Sequence, residues 1–145
     1  MPPGSALQID FTYEVPGGGR VESPYIAVWV EDTGGNLVEA VSLWYKSDES
    51  KYLRDLKRWD SKNQRQALTT GATRRPGTFA VVWDGTNLDG RSVPEGDYNI
   101  CIEAAREDGP YQLIREQLAL GAGMNPTGLS PSRELVAAKV ALVPA

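Results

Sequence analysis

The sequence predicts an all-β fold, an antiparallel β-sandwich of about seven strands with one short helix inserted near residues 48–60. Two observations lead to this fold class. Apolar and polar residues alternate over short segments, as they do in strands that bury one face. Turn-forming Gly, Pro, Asn and Asp residues separate these segments at short intervals. With 145 residues, 41% of them hydrophobic, the chain suits a single domain, residues 1–145, with one core.

The first half of the chain contains three predicted strands. Residues 7–14 alternate without an exception, and the Pro-Gly-Gly-Gly stretch at 16–19 ends this pattern. Residues 25–31 are rich in β-branched and aromatic side chains, and residues 37–45 alternate as their hairpin partner. The polar, Gly-containing turn between them is typical of a short antiparallel connection.

Residues 48–60 are predicted to form the helix. Acidic residues at its start and basic residues at its end suit the helix dipole. Its apolar residues recur at helical spacing and form one face: Tyr52, Leu53, Leu56 and Trp59. We expect this face to dock onto the sheet. Residues 61–77 follow without any periodicity, and a connection of this length is often functional.

Strand patterns resume in the second half of the chain. Four further segments have strand character: residues 78–83, 98–105, 111–120 and 135–143. Residues 84–97 form turns, and residues 121–133, with three Gly and two Pro, are predicted to be a loop. The strand number and the short turns indicate an immunoglobulin-like sandwich, although a single cysteine excludes the disulfide framework of antibody domains.

The composition excludes several functional classes. The absence of histidine removes Ser-His and Cys-His catalysis and every His-ligated metal site, and one cysteine cannot build a thiolate metal cage. A net charge of -4 weighs against nucleic-acid binding. No apolar run approaches the roughly 20 residues that span a bilayer. We therefore expect no metal, no nucleic-acid partner and no membrane span.

Three groups of polar residues allow a chemical and a structural interpretation. The oxygens of residues 84–89 could suggest a calcium loop, but Leu88 stands where an EF-hand needs a ligand, so a turn is favoured. Glu103 and the charged residues 106–108 could do acid–base work, but a solvated strand end with local ion pairs is favoured. Cys101 is predicted to be a small buried hydrophobic residue. No catalytic residue is predicted.

One tetrapeptide before the fourth strand is the most informative segment for function. It presents a hydroxyl, two small side chains and a second hydroxyl, followed by two guanidinium groups: Thr70, Gly71, Ala72, Thr73, Arg74 and Arg75. Such a loop could bring a threonine oxygen into the active site of another enzyme, and the arginines could neighbour an attached phosphate. The alternative is an ordinary Thr/Gly loop that leads into a strand.

Two stretches resemble known families. Residues 83–98, with their W-D-G…D-G…V-P-E-G-D-Y spacing, resemble a hairpin of bacterial immunoglobulin-like domains such as that of the flagellar hook-cap protein. A longer resemblance, from about residue 25 to residue 120, includes IAVWVED, LRDLKRW, TGATRRPG and EAARE. This longer stretch is similar to a family of predicted bacterial periplasmic proteins of unknown function. Members of that family accompany PepSY-type membrane reductases and a flavin transferase.

The resemblance implies a covalently attached cofactor. The flavin transferase of such systems cuts FAD and esterifies the FMN phosphate to the last threonine of a (Ser/Thr)-Gly-Ala-(Ser/Thr) motif. The acceptor here would be Thr73, with residues 70–72 as its recognition residues. The family pattern usually has an aspartate a few residues upstream, where this chain has Gln-Ala-Leu-Thr at 66–69.

The expected function is therefore an extracytoplasmic electron carrier that partners a membrane reductase and is not an enzyme by itself. Trp59 and Trp83 are candidates to stack on the isoalloxazine ring, or else to pack in the core. A periplasmic or other extracytoplasmic location is expected, with the signal peptide absent from this chain. The alternative is a non-catalytic structural or interaction module that presents sheet edges or loops. A hydrolytic enzyme is disfavoured by the missing histidine but stays open as a third class, because carboxylates suffice for some glycosidases.

Overall fold

The computed structural model describes residues 4–13, 25–44, 77–105, 111–131 and 135–144. Within these ranges the chain forms eight strands: β1 (Ser5–Tyr13), β2 (Tyr25–Glu31), β3 (Leu37–Trp44), β4 (Gly77–Trp83), β5 (Gly96–Ala105), β6 (Tyr111–Leu120), β7 (Thr127–Leu129) and β8 (Leu135–Pro144). They build two antiparallel four-stranded sheets. Sheet 1 has the order β4-β1-β8-β7, and sheet 2 has the order β3-β2-β5-β6.

The predicted β-sandwich and its seven strands are confirmed. One part of the prediction is wrong, because the expected loop at 121–133 contains the short strand β7, which pairs with β8. Three residues with a central glycine are too few for an alternating pattern to show. The predicted helix at 48–60 lies outside the described residues, and no residue within the described ranges is helical.

The core lies between the two sheets and follows from the period-two pattern. On β1 every second side chain points inward, from Leu7 to Tyr13, and each of these is buried. Ile100 and Ile102 face them from sheet 2, and both are fully buried. Because each such side chain contributes about 1.5–3 kcal/mol on burial, this layer is the main source of stability.

The β2–β3 hairpin closes through a side-chain cap. Asp32 Oδ1 accepts hydrogen bonds from the backbone N–H of Gly34 at 3.0 Å and of Asn36 at 2.9 Å. Gly35 has a φ of 84°, which only glycine adopts without strain. The hydrogen bonds from Asn36, above all from its backbone N–H, lower the pKa of Asp32 from its ordinary value, so the carboxylate holds this turn above acidic pH.

Candidate functional site

The predicted acceptor segment, residues 70–75, lies outside the described residues. The described strands before and after it in the sequence are β3 and β4. The described chain ends at Trp44 on β3, an edge strand of sheet 2, and resumes at Gly77 on β4, an edge strand of sheet 1. Thr73 is four residues from Gly77, so their α-carbons are at most about 14 Å apart. The chain therefore tethers the predicted acceptor, Thr73, within this distance of the first residue of β4.

The start of β4 is firmly held. Gly77 pairs with Tyr13, and Thr78 pairs with Thr12, whose hydroxyl lies 2.9 Å from the Thr78 hydroxyl. On the outer side of sheet 1, next to this end, is a shallow depression of about 320 Å³. It is lined by Asp10, Phe11, Thr12, Thr78, Ala137, Ala138 and Lys139. The depression offers one cation, Lys139, on a floor of small side chains.

Trp83 lies in the core and is 2% exposed, so it has the packing role and cannot stack on a surface flavin. Its indole Nε1 donates to the Thr86 carbonyl at 2.9 Å, and its ring meets the edge of Tyr98 with centroids 6.0 Å apart. The Tyr98 hydroxyl donates to the Pro94 carbonyl at 2.6 Å. These contacts explain the W-D-G…P-x-G-x-Y spacing as structural. Trp59 lies outside the described residues.

The oxygens of the β4–β5 connection serve as turn caps. Asp84 Oδ1 accepts from the Thr86 N–H at 3.0 Å and from the Thr86 hydroxyl at 2.6 Å. Asn87 Oδ1 accepts from the backbone N–H of Asp89 and of Arg91. Among the described residues, no group of three or more His, Cys, Asp or Glu side chains could hold a metal ion.

A polar pocket of about 300 Å³ lies between the edge strands β3 and β4, beside the middle of β3 and the end of β4 that leads into the β4–β5 connection. Glu39 and Asp84 both line it. Burial raises the pKa of the Glu39 carboxyl, and the nearby Asp84 charge raises it further, while a hydrogen bond from the Ala40 N–H opposes this. The pocket therefore brings the Glu39 carboxyl, whose pKa is raised, near a second carboxylate side chain.

The outer face of sheet 2 carries buried charge. Glu31 is fully buried, with Trp29 Nε1 donating to its Oε2 at 2.8 Å and Arg115 Nε donating to its Oε1 at 3.0 Å. Cys101 is fully buried, as predicted. Glu103 is also fully buried, so its assignment to a solvated strand end is wrong; the charged residues 106–108 lie outside the described residues.

Sequence reasoning missed this buried network, although a signal for it exists. Residues 26–30 are five consecutive apolar residues, Ile-Ala-Val-Trp-Val, and do not alternate. A continuous apolar run predicts a strand that is buried on both faces. The structure has that arrangement on β2, since every residue from Ile26 to Glu31 is buried.

The described residues form an antiparallel two-sheet β-sandwich, and a long connection joins its edge strands β3 and β4. None of them belongs to a helix that is long and apolar enough to cross a membrane. Residues 6–137 match the model of the family "Predicted periplasmic protein (DUF2271)". The chain belongs to this family, which confirms the expected extracytoplasmic location.

A curated relative matches a smaller part of the chain. Over 44 residues the chain is 43% identical to the basal-body rod modification protein FlgD of Salmonella typhimurium, and equally to that of Salmonella typhi. The match covers 30% of this chain and 18% of each relative, so the chain spans less than a fifth of their length. This agrees with the partial resemblance to a flagellar immunoglobulin-like domain. No solved structure gives a significant match.

Proposed function

We propose that the protein is an extracytoplasmic electron carrier that holds FMN covalently on Thr73 and exchanges electrons with a PepSY-type membrane reductase. The Thr-Gly-Ala-Thr motif at 70–73 carries the proposal. Membership in a family of predicted periplasmic proteins supports the compartment. The sandwich acts as a rigid support, and FMN, when bound, supplies the redox chemistry.

The residues of the motif fit a phosphoester linkage. Thr73 Oγ1 attacks the FMN phosphorus of FAD in the active site of the flavin transferase; the pyrophosphate bond breaks, AMP leaves, and the hydroxyl proton is released. Gly71 and Ala72 are small enough to let the transferase approach the hydroxyl. Arg74 and Arg75 supply guanidinium groups that pair well with a phosphate.

The anchoring of β4 supports a positional role for the sandwich. β4 pairs with β1 through seven consecutive residues, from Gly77 to Trp83, so the start of β4 is fixed in sheet 1. The Thr73 α-carbon is tethered at most about 14 Å from that point. A group attached to Thr73 is thus linked through four residues to an edge strand of sheet 1.

The test is production of the full chain in the periplasm together with a flavin transferase. The wild type is expected to gain the mass of one FMN phosphoester and a flavin absorbance band. Thr73→Ala is expected to gain neither, while Thr69→Ala, a threonine just outside the motif, behaves as the wild type. An unmodified wild type in cells with an active transferase, or flavin retained in Thr73→Ala, would refute the proposal.

A second candidate is a non-catalytic interaction module, which the partial match to FlgD favours. The edge strand β6 is ten residues long, and its outward residues Arg115, Gln117 and Ala119 are exposed, so it could accept a strand from a partner. In the native host, this candidate predicts a colourless protein that co-purifies with a defined assembly. Ala119→Lys should abolish the association, and Ala137→Lys on sheet 1 should not. An association that survives Ala119→Lys contradicts the β6 site.

A further inference from the structure

The outer face of sheet 1 is open to solvent and consists mostly of short side chains. Inward residues such as Leu7, Ile9 and Val140 fill the core, so the residues between them point outward. Strand pairing arranges the outward residues in three rows across the sheet, and none of them is buried. The second row is here named the middle row. The rows are Val82, Gln8 and Ala141; Ala80, Asp10, Lys139 and Gly128; and Thr78, Thr12 and Ala137.

Two opposite charges lie side by side at the centre of this face. Asp10 on β1 pairs in register with Lys139 on β8, and β1 and β8 are the inner strands of sheet 1. No other residue of the four strands is charged. Gln8 Nε2 donates to both Asp10 carboxylate oxygens, at 3.0 and 3.2 Å, which holds the carboxylate in place. A face with one acid and one base complements a second copy of itself, whereas a partner of a single charge sign is attracted by one group and repelled by the other.

We propose that two copies of the chain pack through the outer faces of sheet 1, related by a two-fold axis that runs along the strands between β1 and β8. This axis places Asp10 of each copy opposite Lys139 of the other, because the two residues are neighbours on either side of it. The four charges then alternate in sign around a square, so each has an opposite charge on both sides. The proposal goes beyond FMN attachment and holds whether or not Thr73 is modified.

The same axis brings short side chains together on the rest of the face. It places β1 opposite β8 of the second copy, and β4 opposite β7. Each facing pair outside the charged one contains an Ala or a Gly: Ala80 with Gly128, Gln8 with Ala141, and Thr12 with Ala137. The two sheets can therefore approach to about 10 Å, the distance at which sheets stack. The depression of about 320 Å³ beside Asp10 leaves room for Lys139 of the second copy, the longest side chain of the middle row.

The size of the face sets the strength of the contact. With about 4.8 Å between strands and about 3.4 Å per residue, the four strands present about 500 Å² on each copy, or about 1,000 Å² in total. This area is at the lower limit for a specific interface. The dimer is therefore expected to be weak and reversible, and its formation to depend on the protein concentration.

Sedimentation velocity on the full chain, produced without a flavin transferase, tests the contact. Between about 0.01 and 1 mM protein at about 0.15 M salt, the wild type is expected to shift reversibly from monomer to dimer. Asp10→Lys leaves only positive charges on the face, and Lys139→Asp leaves only negative ones. Each variant alone should associate at least about tenfold more weakly than the wild type, because like charges then face each other.

Two charge reversals outside the face are the matched controls. Asp97→Lys and Arg91→Asp change the net charge by the same amounts, at exposed residues of β5 and of the β4–β5 connection. Both should associate as the wild type does. Circular dichroism and cooperative unfolding verify that every variant keeps its fold.

Mixing the two face variants gives an independent measurement. An equimolar mixture of Asp10→Lys and Lys139→Asp is expected to form a one-to-one dimer, since a positive face then meets a negative one at both positions. The proposal is overturned if the wild type stays monomeric up to about 1 mM, if a folded face variant associates like the wild type, or if the mixture of folded variants stays monomeric. It is also overturned if Asp97→Lys weakens association as much as Asp10→Lys does, because net charge and not the face then controls the association.

Discussion

Replacing Arg115 by alanine is expected to destabilise the protein by about 2–3 kcal/mol. The fully buried Glu31 carboxylate accepts hydrogen bonds from Arg115 Nε at 3.0 Å and from Trp29 Nε1 at 2.8 Å. Removing one partner of a buried ion pair costs about 3–5 kcal/mol. Because the Arg115 side chain is 36% exposed, water replaces part of its effect, and the expected loss falls at or just below the lower limit of that range.

Urea unfolding followed by tryptophan fluorescence measures this loss, and the thermal unfolding midpoint should fall by about 4–12 °C. Arg91→Ala is the control, because Arg91 is exposed and its turn contact uses the backbone N–H. It should cost less than about 0.5 kcal/mol. In a double-mutant cycle with Glu31→Gln, the coupling energy should exceed about 1 kcal/mol.

Two results would refute this reasoning. A loss below about 0.5 kcal/mol for Arg115→Ala would mean that the pair is not a buried interaction in solution. Additivity of Arg115→Ala and Glu31→Gln would mean that the two side chains do not interact, whatever each contributes alone.

Three further changes test other parts of the fold. Gly85→Ala should cost about 1–2 kcal/mol in thermal unfolding, because Gly85 has a φ of 81°, while Gly128→Ala, whose added Cβ meets nothing, should be close to neutral. Equal losses would contradict the role of the turn. Tyr98→Phe removes the hydroxyl that donates to the Pro94 carbonyl and should cost about 1 kcal/mol; an unchanged midpoint would count against that bond. Glu39→Gln should raise stability at pH 7, because the raised pKa of Glu39 means that its charged form is disfavoured on folding. This advantage should vanish as the pH falls below the ordinary glutamate pKa, and a pH-independent difference would contradict it.

The strands that bury one face were predictable from the sequence. On β1, Leu7, Ile9, Phe11 and Tyr13 alternate with polar residues, and the structure buries all four. β7 was not predictable, because its three residues carry no pattern and their pairing depends on β8. The motif at residues 70–73 was recognised from the chemistry of its side chains. Four residues are too few to predict a local structure.

Glu103 shows why the rest could not be predicted from local patterns. The charged residues at 106–108 suggested a solvated strand end, and strand alternation does place Glu103 on the outer face of sheet 2. Whether an outer face is solvated depends on what the remaining chain lays over it. That information is not local to β5, and only the apolar run at 26–30 on the neighbouring strand points to it.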